Sequence, residues 1–345
     1  MASCVLAVIA GASYTILNID LIPNSTPWIG HADEIGFMLA GFCAAFLLVR
    51  PATDNHAPRA HWLPPALRFL IRTVRADLGN FYFVQHRGID GFVVTGKNSG
   101  SHWLKYMLSA GIAAKYGLPL PAFSTGQTAD DIVGHPARAR RHKGIPLIGT
   151  SHTIPSALHR FIPRSLARRP PIVVMVRAIE DALQSNYRKW RDQYGAPPAD
   201  FAQGDPSGKR FVADVWWYIH FFNRWGRWAE ADPARILVVR YEDLQADPSV
   251  WLPRIASHLG LGFDARATEA ALQYTSKDVI RERQDPNAGE VIVPDPVRVP
   301  PFAFAPAEMR TIRDTLARHL RYRFGYCLAR EASCLPGESG AQQHR

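Results

Sequence analysis

Three five-residue segments of this chain are apolar almost throughout, and each feeds a stretch of helical character. They are Gly91–Thr95 (GFVVT), Ile172–Val176 (IVVMV) and Ile236–Arg240 (ILVVR). A strand without polar alternation is buried on both faces. Strands that each lead into a helix are joined by crossovers, which makes them parallel. The predicted fold class is therefore α/β, a central parallel sheet covered by helices. Helices are expected over Trp103–Tyr116, from Ile179 to about Trp190, and over Ser249–Leu259 after Tyr241.

Open α/β sheets bind ligands beyond the carboxyl ends of their strands. The residues just past these strands are thus the candidates for chemistry. The first strand runs into Gly96-Lys-Asn-Ser-Gly-Ser-His-Trp103. A small-residue loop with one lysine, opening a helix, points backbone N–H groups and a helix N-terminus at one spot, and both favour an anion. It is not a Walker A loop, which needs G-x-x-x-x-G-K-[ST].

The second strand ends at Arg177, with Ser185 eight residues later in the next helix. A guanidinium suits a phosphate because its fork donates two parallel hydrogen bonds. The third strand ends in Arg240-Tyr241-Glu242-Asp243-Leu244, which sets a ring and two carboxylates at the same edge. Each feature alone has a plainer reading: a strand-to-helix turn, a surface ion pair, or a helix cap at Glu242 or Asp243. Lys97, Arg177 and Tyr241 together at one sheet edge argue for a site.

With these residues in place, the chain resembles the sulfotransferases that use 3′-phosphoadenosine 5′-phosphosulfate (PAPS). Their first loop reads roughly K-S-G-T-T-W, a later segment R-x-P-x-D-x-x-x-S, and a third Y-E-D-L. Lys97–Trp103, Arg177–Ser185 with Asp181, and Tyr241–Leu244 match in order and spacing. The similarity runs over about residues 88–325, including Phe304-Ala-Pro-Ala-Glu308 and Arg323-Phe-Gly-Tyr326.

The resemblance implies a P-loop-like three-layer domain over 65–329 and a donor site residue by residue. Lys97, Asn98, Ser99, Gly100, Ser101 and His102 would cradle the 5′-phosphosulfate, with Trp103 on the adenine side. Arg177 and Ser185 would hold the 3′-phosphate, and Tyr241 would contact the adenine. Thr275 and Ser276 resemble a later donor-binding Thr-Ser pair. On the acceptor side, Thr150-Ser-His-Thr-Ile-Pro155 is similar to a K-T-H-x-P segment, and His152 falls on its general base. Imidazole titrates near neutral pH and can take a hydroxyl proton as sulfur is attacked. Sulfuryl transfer asks for in-line positioning and for stabilised charge on the leaving phosphate. Lys97 and the loop amides answer both, so no metal is expected.

The chain departs from the pattern in three places. Lys97 stands six steps before Trp103 where the family has five, so Asn98 occupies the place of the family lysine. Either the loop bulges to bring Lys97 in or the charge comes from elsewhere. Thr150 replaces the lysine of the histidine segment. A late R-K-G triplet is missing, with Arg298 as a substitute.

The first fifty residues differ in character. Residues 2–17 are almost uncharged, and 37–49 form a second apolar run. Each is shorter than the roughly 20 residues of a spanning helix, and no Lys or Arg precedes the first, as a secretory signal would require. Asp20-Leu-Ile-Pro23, Pro27, Gly30 and Asp33-Glu34 between them resemble the YkvA-like helical hairpin domain. The expectation is an apolar hairpin over 1–50, embedded in one leaflet at the cytoplasmic face of a membrane or packed on a soluble domain. A proline-bearing linker over 51–64 and a disordered tail over 330–345 complete the organisation.

Forty Lys+Arg against thirty Asp+Glu give a formal charge of +10, which favours anionic partners. The basic cluster from Arg138 to Lys143 reads as a solvated loop able to steer an anionic acceptor. Asp214–Trp228, aromatic and basic, reads as a helix buried on the sheet rather than a nucleic-acid surface. The four cysteines lack CxxC spacing and are read as buried free thiols.

The function expected is transfer of a sulfuryl group from PAPS to a hydroxyl acceptor. A membrane hairpin would favour a lipid or glycolipid as that acceptor. The competing readings are an ATP-using P-loop-type kinase and a membrane-docked nucleotide-binding scaffold with impaired catalysis.

Overall fold

The structure is a computed structural model, and it describes residues 63–80, 82–86, 88–123, 129–137, 142–161, 170–284, 292–293 and 302–327. The expected hairpin over 1–50, the tail over 330–345, residues 138–141 and Arg298 lie outside them, as does all of the linker except 63 and 64. Among the described residues no helix is long and apolar enough to cross a membrane. The chain divides between Arg75 and Ala76, within the first described helix, α1 (Pro65–Gly79). The second unit contains the whole of the sheet.

A one-turn helix, α2 (Tyr82–Gln85), leads into β1 (Gly91–Thr95), α3 (Ser101–Tyr116), β2 (Val133–Gly134) and β3 (Ile148–Ser151). Next come β4 (Ile172–Val176), α4 (Ile179–Tyr194), α5 (Pro198–Gln203), α6 (Val215–Ala231) and β5 (Ile236–Arg240). The chain continues through α7 (Tyr241–Ala246), α8 (Pro248–His258), α9 (Ala265–Tyr274), α10 (Lys277–Arg283) and α11 (Pro306–His319). The strands form one parallel sheet in the order β2-β3-β1-β4-β5. β1 therefore sits at the centre, and the chain switches sides of it between β3 and β4.

Strand alternation divides the core. Val93, Val173, Met175 and Val239 join one cluster with Leu104, Leu108, Ile112, Leu252 and Ile255, beneath α3 and α8. The alternate residues Phe92 and Val94 are equally buried on the opposite side, where Phe92 meets Phe83 edge-on with centroids 4.9 Å apart. At about 1.5–3 kcal/mol for each large side chain fully buried, the two faces supply most of the driving force for folding. On the first face, a Cβ at Gly111 of α3 would collide with the Phe263 ring. Glycine is thus what lets that ring lie against the helix.

All three strands expected from the sequence form with the expected bounds. β2 and β3 were not legible, because a two-residue Val-Gly and an Ile-Gly-Thr-Ser carry almost no apolar signal. The aromatic segment is the buried helix α6, with Trp225 fully enclosed and Asp214 Oδ1 capping the helix through the Trp217 N–H at 2.9 Å. After β5, helix resumes at Tyr241 itself rather than at Ser249. The break at Asp247 is a cap, accepting the Val250 N–H at 3.1 Å. Cys327 is exposed and disulfide-bonded, which corrects the reading of buried free thiols for that residue.

Candidate functional site

The loop after β1 is held at both ends. Gly96 N–H donates to Met175 O of β4 at 2.8 Å, and Tyr218 Oη donates to Lys97 O at 2.7 Å. Burial of Tyr218 raises the pKa of its phenol, so the hydroxyl stays protonated as a donor. Asn98 (φ 55°) and Gly100 (φ 80°) both adopt the left-handed conformation, which turns the chain sharply into α3. A Cβ on Gly100 would lie 2.5 Å from Cε2 of Tyr241, so the glycine is what allows the ring to rest on the loop. α3 starts without a side-chain cap. Its first-turn N–H groups, uncapped by any side chain, form the positive end of the helix dipole at the carboxyl edge of the sheet.

Within the loop, Ser99 is buried and turned inward, its hydroxyl donating to Lys97 O at 3.4 Å. Ser101 and His102 are half-buried at the head of α3. Lys97 extends along the end of α6, where Nζ donates to Val212 O at 3.1 Å and lies 5.6 Å from the centre of the Trp217 ring. The extra residue between Lys97 and Trp103 is thus absorbed by a left-handed Asn98. The lysine ammonium is directed to the Val212 carbonyl.

Arg177 joins the strand ends. Its Nη1 donates to Asn98 O at 3.0 Å and to Ser185 Oγ of α4 at 3.2 Å, and its guanidinium carbon lies 5.0 Å from the centre of the Tyr241 ring. Glu242 does not serve as a cap of its own helix. Its Oε1 accepts the Ala178 N–H at 3.0 Å and its Oε2 the Tyr326 hydroxyl. Both oxygens are engaged, one of them by the backbone of the residue after Arg177.

Trp103 is buried, donates through Nε1 to Thr275 O at 2.9 Å, and meets Tyr241 edge-on at 6.2 Å. Thr275 contributes that carbonyl, while its hydroxyl donates to Ala271 O at 2.7 Å inside α9. Ser276 caps α10 through the Val279 N–H at 3.4 Å. The residue after this pair, Lys277, is the one that reaches the rings. Its Nζ lies 5.2 Å from the Trp103 centroid and 5.6 Å from that of Tyr241, and donates to the Tyr241 hydroxyl at 3.3 Å.

His152 lies just past β3 and faces the first loop across the sheet. Nδ1 lies 2.8 Å from Thr95 O and 3.1 Å from Thr95 Oγ1. A carbonyl only accepts, so Nδ1 carries the proton and, in the neutral ring, Nε2 holds the lone pair. The segment behind His152 is strongly braced. Asn80 Nδ2 donates to Thr153 Oγ1 at 2.8 Å and to Ile154 O at 2.7 Å, and Trp225 Nε1 donates to Thr153 O at 3.0 Å. Arg224 forms a two-pronged pair with Asp77 at 2.6 and 3.0 Å and also donates to Pro155 O at 3.0 Å. The Asp77 backbone carbonyl accepts from Ser156 Oγ at 2.6 Å, and its Oδ1 accepts the Ala157 N–H at 3.0 Å.

The carboxyl edge thus gathers the loop 97–102, Trp103, Arg177, Ser185, Tyr241 and His152. Sequence reasoning missed Lys277, Thr95 and Tyr218, and it placed Glu242 at this edge without its partners Ala178 and Tyr326. For Lys277 the signal was its place directly after Thr275-Ser276. For Thr95 it was a polar residue ending an apolar strand.

Residues 89–293 match the family model described as the sulfotransferase domain. Among solved structures, a mouse sulfotransferase complexed with PAP is similar at 17% identity and TM-score 0.43, covering 72% of this chain and 93% of that one. The sulfotransferase domain of a Synechococcus olefin synthase is similar at 20% identity and TM-score 0.38, covering 68% and 97%. A sulfotransferase from Alicyclobacillus acidocaldarius is similar at 13% identity and TM-score 0.38, covering 67% and 92%. No curated protein matches the chain.

Proposed function

The chain belongs to the sulfotransferase family, and from that premise we propose that it transfers a sulfuryl group from PAPS to a hydroxyl acceptor. One observation carries the choice of donor. Arg177, bridging the Asn98 carbonyl and the Ser185 hydroxyl against the Tyr241 ring, forms a cationic seat with an aromatic wall. An adenine nucleotide bearing a phosphate near its base suits that pairing. The polar groups fit the anion, since the first-turn N–H groups of α3 face the same edge and Glu242 is held elsewhere.

The donor, when bound, supplies an electrophilic sulfur with the 5′-phosphate as leaving group. His152 Nε2 accepts the acceptor's hydroxyl proton as the oxygen–sulfur bond forms and the sulfur–phosphate oxygen bond breaks. The Thr95 carbonyl holds the ring in the required tautomer and steadies the imidazolium that results. The loop amides offset negative charge at the leaving phosphate, and Lys97 adds to them by turning its ammonium from the Val212 carbonyl to the bound donor. Trp103 and Tyr241 contact the base, Arg177 and Ser185 hold the 3′-phosphate, and Thr275 and Ser276 close the same side.

Calorimetric binding of PAP, with 5′-AMP and ATP as controls, tests the reading. Binding should require the 3′-phosphate and weaken about tenfold or more in Arg177→Ala, as a lost charge-assisted hydrogen bond of about 1.5–3 kcal/mol implies. Equal or tighter binding of ATP would overturn it in favour of a kinase.

The apolar runs at 2–17 and 37–49 support a further assignment. Residues 1–50 form a hairpin at the cytoplasmic face of a membrane, ahead of a linker over 51–64 and the catalytic domain over 65–329. The acceptor is then a lipid or glycolipid. Deleting residues 1–50 should release the protein from membrane fractions, and unchanged partitioning would remove the basis for this.

A further inference from the structure

Lys277 is half-buried, and among the described residues no carboxylate pairs with it. Its ammonium is compensated by two aromatic faces and one phenol oxygen, Trp103 at 5.2 Å, Tyr241 at 5.6 Å and the Tyr241 hydroxyl at 3.3 Å. The neighbouring acid, Asp278, is paired with Arg281 at 2.7 Å. Ring faces attract a cation far less than a full anionic charge does at the same depth. Tyr241 also carries a second cation, since Arg177 lies 5.0 Å from the same ring and donates to the loop carbonyl of Asn98. Two cations from separate strands and helices thus converge on one tyrosine, at the edge where α3 presents its N-terminus.

We infer that Lys277 and Arg177 form a two-cation clamp across Tyr241 for a phosphomonoester dianion, with Lys277 a specificity-determining contact to the 3′-phosphate of the donor. This rests on the donor reading above. A phosphomonoester carries nearly two negative charges at neutral pH, which one guanidinium only half offsets. Lys277 sits on the rings in the free protein and turns its ammonium to the phosphate when the nucleotide arrives. Its flexible four-carbon stem and freely rotating ammonium suit such a movement. Discrimination between PAP and 5′-AMP is then set by Lys277 as well as by Arg177.

The test is calorimetric binding of PAP and of 5′-AMP to the full chain, wild type against Lys277→Met and Lys277→Arg. Methionine keeps the apolar stem against Trp103 and removes the charge. It should cost about tenfold or more in PAP affinity while 5′-AMP affinity stays within about twofold, as expected for one lost charge-assisted hydrogen bond. The arginine variant should recover most of the preference. Circular dichroism melts of both variants identify a folding defect, which arginine rescue would also exclude. Equal losses for PAP and 5′-AMP, or no loss for either, would overturn the clamp while leaving wild-type PAP binding, and so the donor reading, intact. A wild type that binds no PAP would overturn both.

Discussion

The two halves of the proposed site, donor and acceptor, are built in opposite ways. On the donor side, Arg177, Trp103, Tyr241 and Lys277 come from four separate elements and meet through ring faces, a backbone carbonyl and a hydroxyl. On the acceptor side one residue, His152, projects from a short segment fixed from behind by Asp77, Asn80, Arg224 and Trp225. The donor half is preorganised by convergence, and its loss should be graded as contacts are removed singly. The acceptor half is preorganised by a buried scaffold under a single reactive group, and its loss should be abrupt.

The largest effect expected tests the abruptness. His152→Ala should lower kcat by about 10²–10⁴-fold, the usual worth of a positioned general base. PAP affinity should hold within about twofold, so a parallel fall in both constants would erase the distinction between the halves. Next comes Arg224→Ala, which leaves the largely enclosed Asp77 carboxylate without its charged partner and, among the described residues, with only the Ala157 N–H. Exposure of the two side chains is only 10% and 17%, and breaking such a pair costs roughly 3–5 kcal/mol. Urea unfolding should report that loss, and any folded fraction should still bind PAP.

Gly100→Ala strikes the donor half instead. A left-handed backbone costs a residue with a Cβ about 1–2 kcal/mol, and the methyl would collide with Tyr241. We expect about a tenfold weaker PAP affinity, with kcat at saturating donor little changed. The smallest effect is expected from Thr95→Val, which removes one of the two oxygens near His152 Nδ1 but keeps the carbonyl. A loss of about threefold in kcat, within the modest net value of one hydrogen bond, would show that the backbone does most of the holding. A hundredfold loss would move that role to the hydroxyl.

Much of the donor half was legible in the sequence, because its parts sit at the ends of apolar strands that declare themselves. Gly91–Thr95, Ile172–Val176 and Ile236–Arg240 each point to the residue just beyond, and the structure brings Arg177, Ser185 and Tyr241 to one edge. The acceptor half was not legible from pattern. β3 is Ile-Gly-Thr-Ser, and its brace depends on Asp77 and Arg224, 147 residues apart. A pairing at that separation leaves no periodic trace. Resemblance alone singled out His152 among thirteen histidines. Lys277 escaped for another reason, since an isolated lysine after a helix is common and only the rings beneath it give it meaning.

Thr95 closes β1 and also holds His152. The proposed base and the loop proposed to lie over the leaving phosphate are therefore referenced to the same residue of the central strand, so positional error does not accumulate along a long path between them. On that reading, remodelling the surface beyond His152 would change what is sulfated without changing how the proton departs. An engineer seeking new acceptors can treat the Thr95–His152 contact as a fixed datum and vary everything beyond it.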